Sequence, residues 1–183
     1  MAVKATIFKA ELQVNDMDRN YYQAHSLTLA QHPSETQERL MVRLLAFALN
    51  AGESLGFGRG ISTDDEPDLW QKDLTGQIET WIEIGQPDEQ RLRRACGRAG
   101  QVIVYTFSGR SAGIWWEKNA EALARCRNLS VYDIDAAASA QLAAMASRNM
   151  QLQCFIQDGQ LQLSDESSSV EIVPLARLGA ATR

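Results

Sequence analysis

Histidine and cysteine are scarce in this chain. Two histidines and three cysteines are spread over 183 residues, and no two cysteines form a CxxC pair. A zinc finger is therefore excluded. Cys96, Cys126 and Cys154 each fall in an apolar or helical setting and read as buried, reduced thiols of a cytoplasmic protein. Long apolar runs are missing as well, with no stretch near the roughly 20 residues needed to span a bilayer. The first residues, MAVKATIFKAELQVND, alternate and carry charge, so no signal peptide is expected. Positive charge is in the minority: 18 Lys and Arg stand against 23 Asp and Glu, a net charge of −5. That balance argues against holding nucleic acid through overall charge. It leaves room for a local basic patch, because phosphate contacts need clustered Lys and Arg on one face only.

Apolar residues make up 45% of the chain, enough for a core in something the size of one domain. No internal repeat, low-complexity tract or long linker divides it, so a single domain over 1–183 is expected. Alternation over 3–14 and 21–30, flanking Asn15-Asp16-Met17-Asp18, predicts a β-hairpin. Ser34-Glu35-Thr36-Gln37 fits a capping box, which predicts a helix opening at Ser34. Leu40, Met41, Leu44, Leu45 and Ala48 form its apolar stripe, with Arg39 and Arg43 facing outward and Glu38 at the stripe's edge. Residues 51–63 hold four glycines and read as a loop with room for one short strand. Near the other end, MQLQCFIQDGQLQLSD alternates around Asp158-Gly159, a hairpin signal. SSVEIVPL adds a strand that Pro174 marks as an edge or a strand end. The terminal hairpins, 1–33 and 149–178, are expected to join into a second small sheet beside the central one.

The stretch 64–107 carries the chemistry. Three acids, Asp64, Asp65 and Glu66, lead through Pro67-Asp68 to the apolar run GQIETWIEIG. Period two puts Glu79, Trp81, Glu83 and Gly85 on one face of that strand and Thr80, Ile82 and Ile84 on the other. Glutamates on such a strand mean one of two things: an edge strand with a wet face, or a buried carboxylate that needs a partner or a metal. Pro87 opens a helix, Asp88 and Glu89 complement its dipole, and Gly100 suits its stop. Arg91, Arg94 and Arg98 share one side of this helix, either solvated or poised to hold a phosphate. QVIVYTF (101–107) has no polar face and is expected to be an inner parallel strand. A helix over 111–127, a strand over 129–134 and a helix over 136–149 capped by Asp135 continue the unit. Trp115 and Trp116 read as helix-packing residues before a contact surface.

Taken together, KATIFKA, LTLAQHPSETQERLMVRLLAF, DDEPDLW, WIEIGQPDE and FIQDGQLQLSD resemble the bacterial YaeQ family across essentially the whole chain. The Pro67-Asp68 pair followed by Glu83-Ile84-Gly85 is similar to the signature of the PD-(D/E)xK nuclease superfamily, whose core runs α-β-β-β-α-β. The resemblance implies an α/β (α+β) fold with a restriction-endonuclease-like central mixed sheet and flanking helices. The nuclease-like core would span about 34–148. It implies Mg²⁺ or Mn²⁺ held by Asp68 and Glu83 and metal-assisted hydrolysis of nucleic-acid phosphodiesters in the cytoplasm. Asp68 matches the Asp of the PD pair, Glu83 the acid of the triplet, and Glu38 the helix glutamate that some members add. The motif lysine is replaced by Gly85, so a basic group from the next helix, Arg94 or Arg91, is expected to stand in, with Arg94 countering the charge on the phosphate. Arg91, Arg94 and Arg98 would form the nucleic-acid contact. The lost lysine equally suits an alternative: a non-catalytic protein that keeps the nuclease fold and binds nucleic acid or another protein. No membrane partner is expected.

Overall fold

The computed structural model describes residues 4–179. Within them the chain order is β1 (Thr6–Asp16), β2 (Tyr21–Gln31), α1 (Gln37–Leu49), β3 (Leu55–Phe57), β4 (Leu69–Lys72), β5 (Ile78–Ile84), α2 (Glu89–Arg98), β6 (Ala99–Thr106), α3 (Arg110–Leu123), β7 (Leu129–Asp133), α4 (Ala136–Ala144), β8 (Asn149–Gln157), β9 (Gln160–Ser164), β10 (Ser169–Ile172) and β11 (Leu175–Leu178). A 3₁₀ turn, Gly60–Ser62, lies between β3 and β4. The fold is α+β with two mixed sheets. Val3, which alternation assigns to the first strand, lies outside the described residues. Among the described residues no helix is long and apolar enough to cross a membrane. The contacts divide the chain into two compact units, residues 4–51 with 137–174 and residues 52–136 with 175–179.

The first unit is built on a five-stranded sheet of order β10-β9-β8-β1-β2. Its two terminal hairpins join, as the alternation predicts, through parallel pairing of β1 with β8. The inner face is apolar (Phe8, Leu12, Val14, Leu29, Leu152, Cys154, Leu163), and the residues between point outward. The first turn falls at Met17–Asn20 rather than at Asn15-Asp16, which are the last residues of β1. The second turn sits at Asp158-Gly159, both at positive φ (53° and 74°), as a two-residue hairpin needs. Asp18 clamps it from the first hairpin: its Oδ1 accepts from the Asp158 N–H at 2.7 Å and its Oδ2 from the Gly159 N–H at 2.9 Å.

α1 corrects two expectations. Its N-cap is Thr36, whose hydroxyl accepts from the Arg39 N–H at 3.1 Å, not Ser34. Arg43 does not face outward. Residues 40 to 48 are buried without a break, so the helix has no solvent face in this stretch, and Arg43 is 5% exposed. Its charge is matched by Glu35, whose Oε1 accepts from Nη2 at 2.7 Å and whose Oε2 accepts from Nε at 2.9 Å. Arg39 adds a third bond to Oε2 at 2.6 Å. Glu35 is thus the anion of an ion triad with buried Arg43 and half-buried Arg39.

The second unit is a six-stranded sheet of order β11-β7-β6-β5-β4-β3. β5, β6 and β7 run parallel, joined by α2 and α3, which is the β-α-β-α-β succession read from the sequence. β6 is an inner strand, in keeping with its lack of a polar face. Ile78, Trp81, Leu92, Ala95, Val102, Val104, Leu123 and Val131 form the core on one side of the sheet. Trp115 and Trp116 are half-buried against it, and Trp115 Nε1 donates to the Pro87 carbonyl at 2.9 Å, so packing is their role. β4 and β11 had no counterpart in the sequence reading. All three cysteines are free thiols, but only Cys154 is buried as expected; Cys96 and Cys126 are half-buried. Burial pushes Cys96, beside Cys126, and Cys154 up to about 12, far from thiolate chemistry at neutral pH.

Candidate active site

The antiparallel pairing of β4 with β5 builds the site. Leu69 lies opposite Ile82 and Trp70 opposite Trp81, which brings Asp68, the residue before β4, to the end of β5 that carries Glu83. The Asp68 N–H donates to the Ile82 carbonyl at 3.1 Å, one residue short of Glu83. The two carboxylates, fifteen positions apart along the chain, therefore lie close enough for the charge of Asp68 to act on Glu83. Both are buried, at 2% and 4% exposure.

Each acid is held differently. Asp68 Oδ2 accepts the Ile84 N–H at 2.8 Å. The loop after β3 folds over it: the Gly58 N–H donates to the Asp68 carbonyl and the Gly60 N–H to the Pro67 carbonyl. Gly60 has φ of +50°, and a methyl group there would run into Asp68 Oδ1. Gly60→Ala is accordingly expected to cost about 1–3 kcal/mol in urea denaturation. A midpoint equal to wild type would show that the loop is not needed in this place.

Glu83 Oε1 accepts from Trp81 Nε1 at 2.8 Å and from Arg91 Nε at 2.7 Å. No described residue donates to Oε2. Burial, and next the charge of Asp68, push the Glu83 carboxyl above its ordinary range, against the pull of Arg91 and the Trp81 N–H. Of the two sequence readings of this strand, the buried one holds: β5 lies between β4 and β6 and is no edge. Glu79, by contrast, is exposed and accepts from Gln71 Nε2 at 2.7 Å.

Arg91 is the basic group that enters from α2. Besides Glu83 it reaches the carbonyls of Asp64 (Nη1, 3.0 Å) and Glu66 (Nη2, 2.8 Å), so one guanidinium ties the acidic loop to the strand. Of the two candidates for that place, Arg94 stays exposed and Arg91 takes it. Gly85 also departs from the reading that continued the strand through it. β5 ends at Ile84, Gly85 has φ of +101°, and its N–H donates to the Tyr105 carbonyl at 2.9 Å. A lysine side chain at this position would meet backbone strain.

Beside this pair lies a cleft of about 350 Å³ lined by Asp64, Asp65, Trp81, Arg91, Arg94 and Arg98, among others. The three arginines are thus brought together on one wall. Arg98 sits over the Trp81 ring at 5.3 Å from its centre. Asp68 and Glu83 do not line the cleft; Arg91 touches both places. Glu38 belongs to the other unit, where it accepts a hydrogen bond from the Ser139 hydroxyl at 3.2 Å.

Two paired carboxylates offer oxygen donors of the kind a hard cation takes. Mg²⁺ is commonly held by only one or two carboxylates, with water filling its shell, so the donor set fits. Among the described residues no group of three or more His, Cys, Asp or Glu side chains is arranged around a common point. The roles of Gly60 and Trp81 were not legible in sequence. No short motif marks a glycine that must clear a carboxylate eight residues along the chain, and an indole two residues before an acid carries no signature of its own.

An α+β protein with a buried acid pair at the antiparallel edge of a parallel unit is the class that this architecture defines. The chain belongs to the YaeQ family, whose description, YaeQ protein, matches residues 1–174. It is 48% identical over 172 residues to "Uncharacterized protein YaeQ" of Escherichia coli (strain K12), covering 94% of this chain and 95% of that one. The protein of the same description from Salmonella typhi is also 48% identical over 172 residues. Among solved structures, that of the YaeQ protein from Xanthomonas axonopodis pv. citri superposes with a TM-score of 0.93 at 52% identity, over 96% of this chain and 99% of that one. The YaeQ protein from Pseudomonas syringae gives 0.92 at 34% identity, over 96% and 97%.

Proposed function

We propose that the chain is a restriction-endonuclease-like protein of the cytoplasm that hydrolyses nucleic-acid phosphodiesters with Mg²⁺ or Mn²⁺. The observation that carries this reading is the proximity of two buried carboxylates, Glu83 on β5 and Asp68, whose Oδ2 accepts from the N–H of Ile84, the residue after Glu83. Element order supports it: α1-β3-β4-β5-α2-β6, with one 3₁₀ turn, follows the α-β-β-β-α-β order that the resemblance implies. A cation at the pair would lower the pKa of a bound water and draw off charge from the phosphate. Asp68 and Glu83 would hold it, with the Ile84 N–H fixing Asp68 in position. Trp81 and Arg91 orient Glu83. Arg94 and Arg98 are the cations available to an entering phosphate from the cleft.

A second reading is favoured by one observation: Arg91 already supplies the positive charge beside Glu83. On that reading the pair is structural and the chain binds nucleic acid or a protein without cutting. One experiment separates them. Mn²⁺ is titrated by calorimetry into wild type, Asp68→Asn and Glu83→Gln, followed by cleavage assays on labelled DNA and RNA. The hydrolytic reading expects one-site binding in wild type, lost in both variants, and a fall in cleavage of about 100-fold or more. Wild type that binds no Mn²⁺, or cuts no better than the variants, leaves the binding reading.

A further inference from the structure

Arg94 and Arg98 stand one helical turn apart on α2, both exposed. Among the described residues neither has a carboxylate partner. Arg98 rests on Trp81, an aromatic face that orients a guanidinium without neutralising it. The third arginine of the cleft, Arg91, is matched by Glu83. The facing wall carries Asp64 and Asp65, but the Asp64 side chain is 98% exposed and its charge is screened by water and salt. Arg94 and Arg98, likewise exposed, line the same small cavity as these two acids but form an ion pair with neither.

We propose that this cleft binds a phosphate monoester and, on the hydrolytic reading above, directs cutting to a phosphorylated strand end. A monoester carries about −1.5 to −2 charges at neutral pH, where each internal diester carries one. Two guanidiniums match the former, and their forked donors suit the three free oxygens that only a terminal phosphate presents. Size points the same way. At about 350 Å³ the cleft lies at the lower end of the roughly 300–1,000 Å³ of small-molecule sites. It is a cavity for one end group, not a groove that tracks many phosphates. The monoester site stands without the hydrolytic reading; only the end-directed cutting rests on it.

Binding is measured by calorimetry in EDTA, where metal-dependent hydrolysis cannot occur. The probes are inorganic phosphate, a nucleoside 5′-monophosphate, and one short single-stranded oligonucleotide with either a 5′-phosphate or a 5′-hydroxyl. Wild type is expected to bind the phosphorylated strand about tenfold or more tighter than the hydroxyl form. Arg94→Ala/Arg98→Ala is expected to lose that preference, and Asp68→Asn to keep it. Arg94→Lys/Arg98→Lys, which keeps the charges and loses the forks, is expected to fall between. Equal binding of the two strands by wild type, or a preference that survives in the double alanine variant, overturns the site. A monophosphate that binds as tightly as the strand assigns the cleft to free nucleotides and overturns end direction. A preference that holds while Mn²⁺ titration and cleavage fail removes the hydrolytic reading and leaves the cleft.

Discussion

Glu35→Ala is expected to destabilise the protein by about 3–5 kcal/mol, the cost of removing one partner of a buried ion pair. Glu35 is the anion for two arginines, and its side chain is 2% exposed. Arg43, with a side-chain exposure of 6%, would keep its bond to the Ala30 carbonyl and lose both bonds to a carboxylate. A carbonyl dipole does not neutralise a guanidinium taken out of water. The pair itself is worth much less than its disruption suggests, because desolvation of two ions offsets most of their attraction. Glu35→Met/Arg43→Met is therefore expected to recover most of what Glu35→Ala loses. Urea denaturation of the three proteins reads the difference. A double variant no more stable than Glu35→Ala would mean that the helix needs the ion pair itself and not merely the absence of an unmatched charge.

That triad also marks where sequence reasoning stops. Patterns that repeat were legible. The two hairpin-forming ends alternate with period two, and β8 and β9 bury every second residue around Asp158-Gly159. β6 has no polar face and proves to be enclosed by parallel neighbours. Asp68 and Glu83 could be paired in advance only through the family resemblance, since their meeting depends on the register of a four-residue strand that no periodicity reveals. Charged residues were misread where their partner comes from outside the local pattern. Arg43 sits off the apolar stripe of α1 by sequence, and is buried because Glu35 and the Ala30 carbonyl satisfy it. Arg91 and Arg94 are equivalent by composition. Only the direction of α2 across the sheet decides that Arg91 reaches Glu83 and the carbonyls of Asp64 and Glu66. β11 pairs with β7 after Pro174, a connection set by tertiary packing and invisible in a strand of four residues.

Arg91→Ala is expected to cost about 3 kcal/mol where Glu83 is ionised and about 1 kcal/mol less where it is protonated, so the cost falls as pH falls. The groups facing Glu83 are Asp68, Arg91 and the Trp81 N–H, and the carboxyl is already raised above its ordinary range. A raised folded-state pKa means that the folded protein binds the proton more tightly than the unfolded chain. The stability tied to that proton is fully present below the unfolded pKa and is lost as pH rises through the folded one. Arg91 opposes the rise, so removing it moves the folded pKa further up and extends the loss to higher pH. As pH falls and Glu83 takes up its proton, no charge is left unmatched there, and the cost falls toward that of the two lost bonds to the loop carbonyls, about 1 kcal/mol each. In a Glu83→Gln background the cost of Arg91→Ala should lose its pH dependence. A cost that is the same at both ends of the range would show that Arg91 acts through the loop alone. The same variant weighs the two functional readings, because a divalent cation at Asp68 and Glu83 would supply the charge that Arg91 no longer brings. Mg²⁺ binding only to the folded state would then raise the denaturation midpoint of Arg91→Ala, and more so than that of wild type. If the midpoint of Arg91→Ala does not respond to Mg²⁺, the acid pair does not attract the cation even with its competitor gone, and the structural reading of Asp68 and Glu83 is the one that stands.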